Sequence, residues 1–538
     1  MRTINQSRYI GQKVTRVTSI AKRMNNKIIV GLFVGTMLLT NSSGYGNGLV
    51  ISGVVSNQAA KTVTFNLSWD NSWRVVTNPF NWDAAWVFVK FRQCGAAPTT
   101  DWSHGQISTT LGDHTIHANL EPTTSNGLTA PGIDAAPNNL GVMLRRSAIG
   151  VFPTTAPLSN TLKVTNIPAV VAGVSYDYKV FGIEMVFIPE GSFSIGDDQP
   201  NCLAAAANAQ GRFNNGQSII SEAAVTLNST FTVAVFTGMV AATHQVVPVP
   251  ATYPKGFAPF YMMKYEISQN QYCQFLNTIT AVASTARFPG NYNTNRNLTN
   301  NNGTPPDIYQ SIRPYRAQGW LDMFHVFSYL DWACLRPMTE LEYEKTCRGA
   351  GAMLSCEGAW GVSLTGTPPV AATTVSTTVP CEDGTEIVLA PANANCAWNN
   401  PVLIGVCAGE TSGPLRVGIF ARAGSTTRAE TGATYFGVME MSGNLWEVSI
   451  NVMNLAGCLA YTATWGDGYL DATGMFNAPT WPLTSANSPN QTVGNRGGSF
   501  WDANQYLTIG NRYCNFWPGG TSPAGCGATQ GRGGRGVR

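Results

Sequence analysis

Arg496-Gly497-Gly498-Ser499-Phe500-Trp501 decides how the rest of this chain is read, together with Asn511-Arg512 and Gly536-Val537-Arg538 further on. Aromatic residues crowd the same region: Trp501, Tyr506, Tyr513, Phe516 and Trp517 are interleaved with Asn and Gly. So many rings among small and polar residues exceed the needs of one core and suit a recognition surface, because such side chains offer contact area at low entropic cost. Core packing is the competing reading of the same rings.

Upstream, two helices are legible. Ser268 to Thr278 has a serine at its N-cap and apolar residues at Tyr272, Phe275 and Leu276. Thr339 to Arg348 opens with Thr339 and has Glu342 three residues on, a capping-box pattern. From Leu49 to about Val180 the chain reads instead as short strands, such as Val63 to Trp69 and Ala85 to Phe91, separated by Gly, Pro and Asn clusters. An all-β sandwich over 49–180 is the economical expectation. At Phe181 the pattern changes, and Met185 to Phe193 is expected to open a second domain over 181–538. Long insertions are expected near 201–255, 285–320 and 359–430.

Charged residues make up 12% of the 538, against about 25% in an average soluble protein. Net charge is +3, and no Lys/Arg run accompanies an aromatic stripe, which excludes a nucleic-acid binder. The N-terminus has basic residues up to Lys27, an apolar run from Ile28 to Leu39, then small and polar residues to Gly48. That is the plan of a secretory signal over 1–48, with Met24 as the expected true start. The apolar run is too short for a transmembrane anchor. The expected location is therefore secreted, periplasmic or cell-surface, in a bacterium. Twelve cysteines without a CxxC pair read in that compartment as disulfides, with Cys514 to Cys526 and a pairing within Cys381, Cys396 and Cys407 as the guesses. His114 and His117 beside Asp113 are the only close histidines, and nothing in sequence supplies a second ligand cluster for a metal.

Five ordered segments carry a resemblance. They are MVFIPEGSFSIGD (Met185 to Asp197), FYMMKYEISQNQYCQFLN (Phe260 to Asn277), LRPMTELEYEKTCRG (Leu335 to Gly349), YFGVMEMSGNLWEVS (Tyr435 to Ser449) and NRGGSFW with the terminal GVR. In this order they resemble the sulfatase-modifying-factor family, whose best-known member is the formylglycine-generating enzyme. The resemblance implies an α+β, C-type-lectin-like fold for 181–538, preceded here by the all-β sandwich. It also implies a cysteine pair five residues apart after the Gly-Gly-Ser segment, holding copper(I) through soft thiolates. A gapless count places that pair at Asp502 and Leu507, and no two cysteines in the chain are five apart. Copper and cysteine-dependent oxidation are therefore not expected.

The same resemblance implies a structural Ca²⁺ on the Gly-Asn-x-Trp-Glu segment, with Asn444, Leu445 and Glu447 as ligands; the alternative is that Asn444 caps a turn and Trp446 packs in a core. Arg336, Glu340, Glu342 and Arg348 are read first as capping and salt-bridge residues. The preferred function is an exported binding or surface-assembly protein on a catalytically degenerate domain, recognising an extracellular ligand, glycan or protein through Trp501, Asn504, Gln505, Tyr506, Tyr513 and Trp517. The rivals are a family enzyme acting on a peptide or small molecule through Ser499, Asp502 and Arg512 in a polar pocket, and a self-assembling structural subunit of an envelope.

Overall fold

The computed structural model of the chain describes residues 48–95, 101–127, 130–152, 156–198, 202, 212–214, 216–233, 240–291, 294–297, 299–304, 307–365, 369–370, 374–376, 386–390, 394–399, 412–421, 425, 427–453, 456–482, 492–512 and 529–538. The expected signal lies outside them, Gly48 apart. Among the described residues no helix is long and apolar enough to cross a membrane.

The strand Tyr176–Ile188 organises the molecule. It pairs antiparallel with Asp83–Gln93 from Tyr176 opposite Gln93 to Val186 opposite Asp83. Its later half also pairs with Phe260–Met263, Met185 lying opposite Met263. These are central members of one eight-stranded sheet that runs from Arg336–Pro337 through Gly536–Val537 and Phe260–Met263 to Val142–Arg146 and Leu120–Thr123. The boundary expected at Phe181 therefore falls inside a continuous strand, and Leu39–Arg538 hold together as one compact unit. What changes at Phe181 is burial: from Val180 onward every residue of this strand is buried. A strand covered on both faces loses the polar alternation of a half-exposed one, which imitates a domain boundary in sequence.

Alternation along Asp83–Gln93 shows what covers each face. Ala84, Trp86 and Phe88 enter the main core with Phe181, Ile183 and Met185, against Tyr272, Phe275, Val326 and Trp332 of two helices. Trp332 meets Phe88 and Phe181 edge-on, with ring centroids 5.3 and 5.0 Å apart. Ala85, Val87 and Val89 point the other way, into a second core with Ile51, Val63, Phe65 and Leu162. Those residues belong to a three-stranded sheet, Val50–Asn57, Thr62–Ser68 and Leu158–Lys163. The β layers of the N-terminal region thus use the central sheet as their second wall. Gly182 allows a close approach there, since a Cβ would stand 2.7 Å from Leu49 Cδ2 and 2.9 Å from Ile51 Cδ1 and those side chains would have to shift.

The helices begin where the sequence places them. Ser268 and Gln271 form a capping box on Gln269–Leu276, and Thr339 and Glu342 form one on Glu340–Arg348. A third helix, Met323–Trp332, is capped by Asp322 and His325. Its sequence MFHVFSYLDW is apolar on nearly every side, so it carries no amphipathic stripe. The first expected insertion contains an antiparallel pair, Val225–Val233 with Val240–Val249.

Cysteine usage corrects the expectation of general pairing. Among the described residues one disulfide forms, Cys202–Cys356, across 154 positions. Cys273, Cys334, Cys347 and Cys396 are buried and take part in no disulfide among the described residues, behaving as small core hydrophobes. Cys396 donates to the Ser442 carbonyl at 3.0 Å. Its suggested partners Cys381 and Cys407, and the pair Cys514 and Cys526, lie outside the described residues.

Candidate functional site

The strand Val493–Arg496 pairs antiparallel with Trp446–Ile450, which also pairs in parallel with Arg532–Gly533. Gly497 and Gly498 leave it at φ +93° and +72°, a region open to glycine at no steric cost. They turn the chain inward, and Ser499 is fully buried. Its backbone N–H and its hydroxyl both donate to Asp502 Oδ2, at 2.9 and 2.5 Å. Gly531 makes the room, since a Cβ there would stand 2.6 Å from Ser499 Oγ. Burial pushes the Asp502 carboxyl above its ordinary range, and the hydrogen bonds from Ser499 and Trp446 oppose that shift. Ser499 and Asp502 are thus brought together as a self-satisfied turn.

Arg512, the third candidate, is held elsewhere. Its Nε donates to Glu340 at 2.9 Å and its Nη2 to the Val452 carbonyl at 2.9 Å, and the guanidinium lies over Phe213 at 4.3 Å. Arg496 is tied to Glu344 at 2.6 Å and to the Ile509 carbonyl at 2.7 Å. Arg336 takes Glu342 through two nitrogens, and Arg348 takes Glu344 and Glu357. The acids of Glu340–Arg348 thus bind the motif arginines into the fold, the structural reading of those residues. Leu507, at the second position of the expected cysteine pair, is fully buried among apolar residues.

The surface beside this turn is different. Trp501 is 54% exposed, and Asn504, Gln505 and Tyr506 follow on a short 3-10 turn, each partly exposed. The Tyr506 ring packs edge-on against Trp446 with centroids 6.0 Å apart. Asn511 fixes the turn by donating to the Gln505 carbonyl at 3.0 Å. Tyr513 and Trp517 lie outside the described residues. His114 and His117 do not form a pair of free ligands: each Nδ1 accepts a backbone N–H, from Lys163 and Asn119 respectively.

The Gly-Asn-x-Trp-Glu segment lies in a buried acidic neighbourhood. The Asn444 side chain accepts from Leu415 N at 2.7 Å and donates to Glu266. The Leu445 N–H donates to Glu266 at 2.9 Å. Glu447 pairs through Oε1 with Arg535 at 2.5 Å, and its Oε2 has no partner. Glu440, at φ +54°, accepts from Gly418 N and likewise keeps Oε2 without a partner. Burial raises both carboxyls to about 7, and Glu266 well above the ordinary range, with the charge of Glu447 next in importance for Glu266. Sequence reasoning missed Glu266, Glu440 and Arg535; a non-glycine at positive φ is a signal that appears only in the fold.

Strands in sheets with few helices, wrapped around short buried motifs joined by long connections, define an α+β protein of the C-type-lectin-like kind. Residues 177–515 match the family model described as the sulfatase-modifying factor enzyme 1-like domain. That covers more than half of the chain, and the chain belongs to this family. No curated protein matches it significantly.

Proposed function

We propose that this protein is an exported binding or surface-assembly protein whose sulfatase-modifying-factor domain has lost cysteine-based oxidation. One observation carries the reading: the two positions that would hold the thiolates are Asp502, which is folded onto Ser499, and Leu507, which is sealed in a core. Neither is a soft ligand for copper(I). The enzymatic rival loses support from the same geometry, because Ser499 is buried and Arg512 is neutralised by Glu340. The disulfide Cys202–Cys356 is consistent with an oxidising compartment.

A structural Ca²⁺ in this buried acidic neighbourhood would draw on Glu440 and Glu447 as well as on Asn444. Two carboxylate oxygens without partners are the hard donors such an ion takes, and the Asn444 amide oxygen keeps a second lone pair beside its bond from Leu415 N. The ion would supply positive charge where one arginine faces several carboxylates, a structural role.

Trp501 is the contact the recognition surface depends on most. Because it is largely exposed, Trp501→Ala should leave stability within about 0.5 kcal/mol of wild type while removing binding to ligands retained from a glycan and protein panel. Retained binding in this variant counts against the placement. Formylglycine in a cysteine-containing sulfatase peptide incubated with the protein and copper would overturn the loss of oxidase chemistry.

A further inference from the structure

We infer that Lys264 and Asp83 become joined by an isopeptide bond between their side chains, with Glu184 as proton carrier. The three residues come from neighbouring parts of the central sheet. Asp83 opens the strand Asp83–Gln93, Glu184 lies in Tyr176–Ile188, and Lys264 directly follows Phe260–Met263. Asp83 stands opposite Val186, two residues from Glu184 and so on the same face of the sheet. The Lys264 N–H donates to the Glu184 carbonyl at 2.9 Å, which sets those two residues side by side.

The lysine is enclosed and aimed. All three side chains are buried, and Nζ lies 3.0 Å from Asp83 Oδ2, 3.1 Å from Glu184 Oε2 and 3.1 Å from the Asn71 carbonyl. The rings of Trp73 and Tyr265 lie 4.9 and 5.5 Å from it. The two oxygens of Asp83 have different surroundings. Oδ1 accepts from the Ser72 hydroxyl at 2.7 Å and from the Trp73 N–H at 3.1 Å, whereas Oδ2 accepts from Trp69 Nε1 at 3.1 Å and from Nζ. Two donors on Oδ1 form a cradle for the negative charge that develops there when Cγ is attacked. Glu184 Oε1 has no partner, so attack on Glu184 would find no such support.

The reaction balances without a further reagent. Nζ bonds to Cγ of Asp83, the Cγ–Oδ2 bond breaks, and Oδ2 leaves as one water with two of the three ammonium protons. One proton passes to Oδ2 along the existing hydrogen bond. Glu184 Oε2 takes the second and hands it on, ending as it began. Desolvation alone would lower the Lys264 ammonium, but the charges of Tyr265, Asp83 and Glu184 outweigh it, so the starting form is the ion pair. Burial lifts the Glu184 carboxyl to about 7 against the pull of Lys264, which suits a group that must both take and give a proton near neutrality. A buried ion pair keeps its desolvation penalty and a neutral amide does not, while groups held in contact react without the entropy loss of meeting. The bond ties positions 181 apart in sequence across the central sheet, and reduction cannot undo it.

The test is a tryptic map of the full chain, denatured, reduced and alkylated, read by mass spectrometry. The expected product is a branched peptide in which Lys264 resists trypsin and is joined to Asp83, lighter by one water than the sum of its two arms. Glu184→Gln keeps the shape but cannot carry the proton. In this variant, with folding checked by circular dichroism, the branched peptide should fall by about tenfold or more, since a positioned base contributes about 10²–10⁴ in rate. The wild-type map decides alone if the variant does not fold. Cleavage after Lys264 with a linear Asp83 peptide in the wild-type protein, a branch on Glu184 instead of Asp83, or an undiminished branch in folded Glu184→Gln would each overturn the inference.

Discussion

Replacing Glu340 by Gln tests whether the motif arginines are chemistry or architecture. Glu340 and Arg512 are both fully buried, with their side chains 2.7 Å apart. Gln keeps the shape and one acceptor but leaves the Arg512 guanidinium charged and without a counter-ion. Removing one partner of a buried ion pair costs about 3–5 kcal/mol, because the remaining charge stays desolvated. Arg512→Met should cost a similar amount by stranding the Glu340 carboxylate. The double variant Glu340→Gln, Arg512→Met removes both charges and should recover most of the loss, ending within about 1–2 kcal/mol of wild type. The implied coupling, about 4 kcal/mol or more, exceeds the roughly 0.5–3 kcal/mol usual for contacting residues, because each single change leaves a buried charge without its partner. Urea unfolding followed by tryptophan fluorescence reads it as midpoint shifts at constant slope. Additive losses in the double variant, or single variants as stable as wild type, would refute the assignment and return Arg512 to the list of candidate reactive groups.

Lys345 gives a pH test. It is buried with its ammonium on the Phe257 carbonyl, and desolvation lowers it to about 7. Above that pH the folded chain has released this proton while the unfolded chain keeps it up to about 10.4, so stability should rise with pH between those limits. In Lys345→Met the rise should be absent, and an unchanged pH slope counts against the buried neutral amine. For the proposed Ca²⁺, adding calcium to chelator-treated protein should raise the melting temperature. Glu440→Gln keeps the acceptor for Gly418 but loses the charge, and should reduce that gain. No calcium-dependent shift in the wild-type protein argues against the ion.

Local chemistry was legible wherever its partners are close in sequence. Both capping boxes link residues three apart, so Ser268 with Gln271 and Thr339 with Glu342 could be read directly. The ordered motifs of the family and the lack of thiols at Asp502 and Leu507 needed only residue identities. The helix Met323–Trp332 was not readable, because burial on most sides erases the periodicity that marks a surface helix.

Sequence alone therefore determined the family, the start of two helices, and the absence of two cysteines five residues apart. Tertiary structure alone decided that Tyr176–Ile188 is one strand shared by both regions, and which side chains remain available at the site. Ser499 and Arg512 are thirteen positions apart, yet the fold gives Arg512 to Glu340, 172 positions away. Buried charges must find counter-charges, and in a chain with so few of them the partners come from distant motifs that only packing brings together.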